Sequence, residues 1–526
     1  MKRLMPSNVN YVLLSLLVMW GCGTNTANQS APGGITISSA SVTAPILKRL
    51  PANPLTRIDV NVPATASNIG YQKISCTLNE AAINNLEKID VYFTDTVVAF
   101  STNNLIGSAV PSASTIDIPI NVSLQPGTNH IWLSAVAKPT ADIDAKIEVQ
   151  AQYLVNAGGK KQMITGSQQG GSKRIGIAIR KAGDDGVNTY RIPGMVTTDK
   201  GTLLAVYDVR YNNSKDLPEN IDVGLSRSTD GGKTWEPMTV MMDMGAPHEN
   251  NGVGDPSILF DPVTKKIWVA ALWSKGNRSI AGSEPGLSPD TTGQFVLVSS
   301  DDDGRTWSQP YSITPQIKDP KWHLYFQGPG SGIAMQNGTL VFPSQYWDES
   351  KKPGIPHSAI IYSDDHGKTW HSGTGAKYNT TESQVVETTP GTLMLNMRDN
   401  AGKFRSVATT TDMGKTWNEH PTSRVALPDP VCMGSFIKAT VNVKGTMKEV
   451  LFFSNPNTSS GRYNISIKAS LDLGETWLPA NTLLIDERQC YGYSTLTKID
   501  DNTIGLVYEG TKDLYFVRVP VGEIVK

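Results

Sequence analysis

Arg191 is the residue whose type and setting most directly suggest chemistry in this sequence. It lies in the tetrapeptide Tyr190-Arg191-Ile192-Pro193, where the proline favours an extended backbone. A guanidinium group held on a strand presents paired N–H donors that match a planar anion such as a carboxylate. The tetrapeptide alone is also compatible with a surface ion pair, so its meaning depends on the elements that position it.

Other kinds of chemistry have no recognisable pattern here. The seven histidines are scattered, no H-E-x-x-H or EF-hand pattern occurs, and the Asp-rich segment SDDDGRTW fits the repeat described below better than a calcium loop. There is no P-loop and no dinucleotide fingerprint. The 47 Lys and Arg residues balance 48 Asp and Glu residues, and this net charge of −1 argues against nucleic acid binding. The sequence therefore predicts neither a metal nor a cofactor.

Five segments of eight residues share the pattern Ser/Thr-x-Asp-x-Gly-x-Thr-Trp, and we call them Asp boxes. They occupy residues 228–235, 300–307, 363–370, 410–417 and 470–477. In a tight loop the Asp carboxylate and the hydroxyl groups can bond to the backbone, Gly supplies a positive φ, and Trp buries a large ring as an anchor. Five copies of such a loop indicate five copies of the hairpin that carries it.

The spacing of the boxes indicates the kind of repeat. Their tryptophans are 47 to 72 residues apart, which suits one antiparallel sheet per unit with loops of variable length. Radially repeated four-stranded sheets are the blades of a β-propeller. The boxes leave one strand over at the start of the repeat region, at 174–179, and three at its end, at 493–497, 503–508 and 513–519. We therefore predict an all-β fold with a six-bladed β-propeller, whose last blade is closed by both ends of the region.

The first 22 residues resemble an export signal. Lys2 and Arg3 precede an apolar run over 11–20 that is too short to span a bilayer, and Gly21-Cys22 resembles a bacterial lipoprotein processing site. We expect an exported protein of the cell envelope with a lipid on Cys22 as its one link to the membrane. A soluble periplasmic or secreted product is the alternative. Residues 23–33 are small and polar, and are interpreted as a tether.

The remaining chain divides into three parts. Residues 34–156 contain period-two apolar segments separated by Pro, Asn and Gly, which predict a small β-sandwich that either binds sugar or acts as a spacer. Residues 157–173 are interpreted as a linker and 174–526 as the propeller. Cys76, Cys432 and Cys490 have no metal-ligand spacing, and the last two could form a disulfide if the fold brings them together.

Taken together, the five Asp boxes and the Tyr-Arg-Ile-Pro segment resemble the bacterial exo-sialidases (neuraminidases) of glycoside hydrolase family 33, over about residues 174–520. The resemblance implies an exo-α-sialidase that removes terminal sialic acid from glycoproteins, glycolipids and oligosaccharides. It further implies retention of configuration through a tyrosyl-enzyme intermediate. The expected partners are sialylated glycans, and we expect a monomer.

The resemblance also implies a clamp of three arginines for the sialic acid carboxylate. Arg191 matches the first, Arg398 in the segment LNMRDN the second, and Arg462 in the segment SSGRYN the third. Guanidinium groups from well-separated strands can converge only at the centre of a propeller, where they require an anionic ligand. Glu509 matches the acidic residue that orients the first arginine.

For the acid and base, the resemblance points to Asp216, on a loop after the strand end Asp208-Val209-Arg210, with Asp222 as the competitor. A carboxyl group on such a loop can cover the site and lose water when substrate binds, which raises its pKa. Arg210 and Asp255 match positions that line the pocket near the 4-hydroxyl of the sugar.

The nucleophile is expected to be a tyrosine, because the anomeric carbon of sialic acid bears a carboxylate that repels a carboxylate nucleophile. The matching residue is Tyr493, chosen over Tyr491. Its base is expected to be Glu382, with Glu387 as the less favoured choice. Two alternatives stay open: a trans-sialidase or intramolecular trans-sialidase with the same residues, and a non-catalytic glycan-binding propeller.

Overall fold

A computed structural model describes residues 34–66, 69–166 and 171–526 of an all-β chain. The export signal, the tether and Cys22 lie outside these residues. Within the described ranges no helix has the length and apolar character needed to cross a membrane. The helices are Glu80–Asn85, Thr314–Ile317 and Val521–Ile524, with 3-10 turns at Asp184–Gly186 and Pro479–Asn481.

The N-terminal region forms two sheets that share one core. The first contains Thr165–Gly166, Thr36–Ser41, Asn53–Val62, Gly127–Ala137, Leu86–Asp95 and Leu105–Ala109; the second contains Lys161–Met163, Val149–Asn156, Ile69–Leu78 and Thr115–Leu124. Side chains of Thr115–Leu124 alternate strictly between exposed and buried. Ile118 from this strand and Ile131 from the first sheet belong to the same buried cluster, so the alternation places one face of each sheet in the core.

Six further sheets follow, which we number I to VI. Sheet I contains Thr189–Thr197, Leu203–Arg210, Ile221–Ser228 and Thr239–Met242; sheet II contains Val253–Phe260, Ile267–Trp273, Gln294–Ser300, Tyr311–Ser312 and Gly330–Ser331; sheet III contains Leu324–Gln327, Ile333–Ala334, Leu340–Trp347, Pro356–Ser363, His371–Ser372 and Lys377–Tyr378. Sheet IV contains Thr380–Thr389, Thr392–Asp399, Ser406–Thr410 and Asn418–Glu419; sheet V contains Ser435–Val443, Thr446–Pro456, Ile465–Ser470 and Thr482–Asp486; sheet VI contains Ser494–Asp500, Thr503–Glu509, Leu514–Pro520, Lys173–Arg180, Ile46–Lys48 and Lys146–Ile147. A two-stranded ribbon pairs Lys403–Phe404 with Pro428–Asp429. Each of the six sheets contacts the next, and sheet VI contacts sheet I.

Sheet VI joins the two ends of the repeat region, as the leftover strands predict. Ile177 of the leading strand pairs with Phe516 of the last strand. The same leading strand also pairs in parallel with Ile46–Lys48 from the N-terminal region. Strands Lys161–Met163 and Thr165–Gly166 lie in the predicted linker and pair with the N-terminal sheets. Part of the described segment between residues 157 and 173 is therefore paired, because its backbone completes two sheet edges.

The five Asp boxes have one geometry. In the first, Asp230 accepts hydrogen bonds from the hydroxyl and the backbone N–H of Thr234, at 2.6 and 3.0 Å. The corresponding Thr hydroxyl bonds to the corresponding Asp in all five boxes. Gly232 has a φ of 86°, and a Cβ there would lie 2.2 Å from the ring of Phe516 in sheet VI. Trp235 packs edge-on against that ring, so the box links sheet I to sheet VI.

These loops should make folding stability sensitive to acid. Hydrogen bonds from Thr306 to Asp302, and from Thr416 to Asp412, lower the pKa of both carboxyl groups to about 2 from an ordinary value of 3.8. A lowered pKa in the folded state stabilises the fold above about pH 4, and this contribution is lost as the pH falls towards 2. We expect the midpoint temperature of thermal unfolding to fall as the pH is lowered from about 4 to 2. The midpoint of Asp302→Asn should fall less steeply with pH over the same range. An unchanged slope in that variant would contradict this role.

Candidate active site

Backbone bulges in the first strands of sheets I, II and IV lie at three of the predicted site residues, Arg191, Asp255 and Glu382. The strand register shifts immediately after Arg191, across Asp255 and across Glu382. Ile192 and Asp255 both have a φ of 56°, a conformation that is strained for a β-branched residue such as Ile192 and is better tolerated by Asp. A bulge turns a side chain out of the regular alternation, so these residues can point along the strand ends instead of into the sheet interfaces.

Glu509 is fully buried and fixes the first clamp arginine. Its two carboxylate oxygens accept hydrogen bonds from Nε and Nη2 of Arg191, at 3.1 and 3.4 Å. They also accept the backbone N–H groups of Ile192 and Tyr493, both at 2.9 Å. The guanidinium of Arg191 lies 4.8 Å from the ring centre of Tyr491 and 5.2 Å from that of Tyr493. One carboxylate therefore positions both Arg191 and the backbone of Tyr493.

Tyr493, Glu382 and Arg398 form a compact hydrogen-bonded group. The Tyr493 hydroxyl donates to Oε1 of Glu382, and Nη1 of Arg398 donates to Oε2 of Glu382 at 2.6 Å and to the Tyr493 hydroxyl at 2.9 Å. Burial, and next the charge of Glu382, raise the pKa of Tyr493 well above its ordinary value, although Arg398 opposes this. The tyrosine is therefore a neutral phenol at neutral pH, and its hydroxyl is in contact with the Glu382 carboxylate.

Arg462 supplies a cation without an acidic partner among the described residues. Its Nη1 and Nη2 donate to the backbone carbonyls of Tyr491 and Val431, at 2.8 and 3.0 Å. Its guanidinium lies 5.7 Å from the ring centre of Tyr493. Because carbonyl oxygens orient the group without neutralising it, Arg462 keeps its full charge for an anionic ligand.

Asp216 lies on the loop between the second and third strands of sheet I and reaches two arginines. Its Oδ1 is 2.7 Å from Nη1 of Arg210 and 3.5 Å from Nη1 of Arg191, while 77% of the side chain is exposed. Although most of the side chain is exposed, partial desolvation by the surrounding protein raises its pKa, but the charges of Arg210 and Arg191 outweigh this and lower the pKa below its ordinary value. Arg210 itself is fixed by Asp208, at 2.8 Å. At neutral pH Asp216 is therefore an anion.

The pKa of Asp255 is shifted in the opposite direction to that of Asp216. Its backbone N–H donates to Asp208 at 2.8 Å, and its carbonyl accepts from Gln327 at 2.5 Å. Burial, and then the negative charges of Asp208 and Asp216, raise the pKa of the Asp255 carboxyl well above its ordinary value. A raised pKa favours the protonated form of the carboxyl, in which it can donate a hydrogen bond.

The competing residues from the sequence lie apart from this cluster. Asp222 accepts a hydrogen bond from the Tyr211 hydroxyl at 2.9 Å, and burial raises its pKa to about 6. Glu387 accepts the backbone N–H groups of Gln336 and Gly391, both at 2.8 Å. The hydrogen bonds of Asp222 and Glu387 are therefore made to nearby loops and turns, and not to the arginines or to Tyr493. The structure thus brings together the eight predicted site residues, namely Arg191, Arg210, Asp216, Asp255, Glu382, Arg398, Arg462 and Tyr493, with Glu509 behind them.

Sequence reasoning missed three contributors to this site. Asp208 had been used only to mark a strand end, although its spacing of two from Arg210 places both on one strand face. Gln327 carries no motif that would reveal its position, and the sequence offers Tyr491 only as a competing nucleophile, not as the ring under Arg191. Cys432 and Cys490 are free thiols, so the disulfide considered from the sequence is absent.

An all-β chain of repeated sheets in which three arginines and several acids surround a buried tyrosine has the features of a glycosidase for acidic sugars. The family described as "BNR repeat-like domain" matches residues 192–492, and the "N-terminal domain of BNR-repeat neuraminidase" matches residues 34–160. The chain belongs to the BNR-repeat sialidase (neuraminidase) family, and is accordingly a glycoside hydrolase.

Individual relatives agree with this assignment. A sialidase from Bacteroides fragilis is 50% identical over 413 residues, which are 77% of this chain and 75% of the relative. A sialidase from Micromonospora viridifaciens is 34% identical over 62% of this chain and 50% of its own length. The solved structure of Hadza microbial sialidase Hz136 has a TM-score of 0.85 at 40% identity, over 93% of this chain and all of that chain.

Proposed function

We propose that the chain carries out its exo-α-sialidase reaction with retention of configuration, through a covalent intermediate on Tyr493. The contact of the Tyr493 hydroxyl with Glu382 and Arg398 is the observation that carries this proposal. A neutral phenol approaches an anomeric centre that bears a carboxylate without charge repulsion. Glu382 takes the phenolic proton as the oxygen–carbon bond forms, which activates the nucleophile only when it is needed.

We assign the general acid to Asp216. In the empty site its carboxylate pairs with Arg210 and Arg191. A substrate carboxylate that binds Arg191 would compete for this positive charge and add a negative one, and both effects raise the pKa of Asp216. The protonated carboxyl then gives its proton to the leaving oxygen as the glycosidic bond breaks. In the second step Asp216 takes a proton from water, which attacks the anomeric carbon, and Glu382 returns the proton to Tyr493.

The remaining roles concern binding. We assign Arg191, Arg398 and Arg462 to the substrate carboxylate, Glu509 to orienting Arg191, and Arg210 and Asp255 to the hydroxyl groups of the sugar. These assignments are supported by the convergence of the three guanidinium groups on Tyr493. The unneutralised charge of Arg462 is available for the anion.

We further propose that sheets I to VI are six blades of a β-propeller and that the two N-terminal sheets form a β-sandwich. Contacts from each sheet to the next, and from sheet VI back to sheet I, support the ring. The sequence of residues 1–22 supports export, with lipidation at Cys22. The proposed partners are sialylated glycans, and the proposed state is a monomer.

The stereochemistry of the first product tests the mechanism. We expect NMR of an early reaction mixture to show the α-anomer of free sialic acid first, with the β-anomer appearing by mutarotation. Two inversions at the anomeric carbon require this order. A β-anomer as the first product would contradict the tyrosyl intermediate. A parallel reaction with lactose as acceptor distinguishes hydrolysis from transfer, because a transferase would form sialyl-lactose.

A further inference from the structure

A turn at residues 429–432, whose first and last residues are buried, lies directly behind the proposed clamp and nucleophile. The carbonyl of Val431 accepts a hydrogen bond from Arg462 at 3.0 Å. Cys432 is fully buried and packs in one cluster with Ile192 and Tyr493. A shift of this turn would therefore move both Arg462 and the ring of Tyr493.

The turn has a strained backbone that two buried charges hold in place. Val431 has a φ of 60°, an unfavourable value for a β-branched residue. The next residue, Cys432, has both backbone polar groups fixed: its N–H donates to Asp429 at 2.9 Å, and its carbonyl accepts from Nη1 of Arg405. Strain of this kind persists only where surrounding contacts determine the conformation.

Arg405 also reaches the strand that carries a second clamp arginine. It is fully buried, and its Nε and Nη2 donate to the side-chain oxygen and the carbonyl of Asn396, at 2.7 and 3.3 Å. Asn396 precedes Arg398 by two residues on strand Thr392–Asp399, so both side chains lie on one face. Arg405 thus connects the strand of Arg398 to the turn that holds Arg462.

We propose that Arg405 and Asp429 are positioning residues that set the spacing between Arg398 and Arg462, and so control recognition of the substrate carboxylate. The two charges lie 3.5 Å apart with side-chain exposures of 0% and 1%. A buried ion pair contributes little net stability compared with an apolar pair of similar volume, whereas fixed donors and acceptors hold a geometry. The inference rests on the proposed clamp function.

The test compares Arg405→Lys with the unchanged protein on two substrates, an aryl α-sialoside and its methyl ester, in which the carboxylate is neutral. Lysine keeps the charge but cannot hold Asn396 and Cys432 together. We expect kcat/KM for the sialoside to fall by about 10- to 100-fold, mainly through KM, since small displacements at a site have effects of this order. The value for the ester should change little.

Arg227→Lys is the matched control. Arg227 is also buried, pairs with Asp303 at 3.1 Å and Glu236 at 2.8 Å, and lies at the box end of sheet I. We expect Arg227→Lys and Arg405→Lys to lower the unfolding midpoint by similar amounts. Arg227→Lys should not change the preference for the sialoside over its ester. Should Arg405→Lys fail to fold, Asn396→Ser removes one acceptor of Arg405 and should show the same selective loss.

The outcomes distinguish a failure of the proposed clamp from a failure of the positioning role of Arg405. If the unchanged protein does not prefer the sialoside over the ester, the clamp itself is wrong and this inference falls with it. If the unchanged protein has the preference and a folded Arg405→Lys or Asn396→Ser variant keeps it in full, the clamp stands and the positioning role of Arg405 is overturned.

Discussion

Replacing Tyr493 with phenylalanine should remove nearly all turnover and leave carboxylate recognition in place. The change deletes one oxygen, the atom that contacts both Glu382 and Arg398. The ring that lies under Arg191 and Arg462 remains. Since loss of a nucleophile removes the covalent route, we expect kcat to fall on the order of 10³-fold or more. Steady-state hydrolysis of a fluorogenic sialoside measures this, and binding of a non-hydrolysable sialic acid analogue should persist.

Tyr491→Phe provides the control for this experiment. The ring of Tyr491 lies under Arg191 and its carbonyl holds Arg462, and neither feature depends on the hydroxyl group. This variant should retain most activity. A fluorinated sialosyl donor that traps the covalent intermediate should add its mass to a peptide containing Tyr493. Full activity of Tyr493→Phe, or a label on another residue, would show that the nucleophile was chosen wrongly.

The second large effect is expected for Asp216→Ala and should depend on the leaving group. A general acid contributes about 10²- to 10⁴-fold where the leaving oxygen needs a proton. We therefore expect a loss of this size in kcat/KM for sialyl-lactose, whose leaving group is a hydroxyl oxygen of lactose with a high pKa. An aryl sialoside with an acidic phenol as leaving group should lose much less, because the departing phenolate needs little protonation.

Asp222→Asn distinguishes this role from a general effect of the loop. Asp222 lies near the same loop, but its contact is with Tyr211. We expect its replacement to affect both substrates equally and mildly. An equal loss for both substrates in Asp216→Ala would mean that Asp216 orders the loop and does not donate the proton.

The repeated hairpins were readable from the sequence because they depend on contacts within a few residues. The bond between Thr234 and Asp230 spans four residues, and the same local bond recurs in every Asp box. Period-two alternation likewise marked strands such as Thr115–Leu124. Boundaries were less readable: residues 157–173 resemble a linker in composition, yet the edges of both N-terminal sheets pair with part of them.

The types of site residue came from motifs, but their arrangement did not. Glu382 and Tyr493 are 111 residues apart and Arg191 and Glu509 are 318 apart, so contact between them depends on how whole sheets pack. The contrast between Asp216 and Asp222 also required the structure, since both are carboxyl groups near one loop. Their pKa values shift in opposite directions because two arginines lower the pKa of Asp216, whereas burial raises the pKa of Asp222 despite its hydrogen bond from Tyr211.

The sequence alone determined the repeated sheet, its turns and the kinds of group available for chemistry, because local hydrogen bonding and side-chain alternation encode those features directly. Tertiary structure decided which of these groups meet, which carboxyl is charged, and that buried Arg405 connects the strand of Arg398 to the turn at Cys432. Long-range contacts, and the pKa values that depend on them, arise only when sheets far apart in sequence pack together. Burial there lowers the local dielectric constant and so strengthens the interactions between charges.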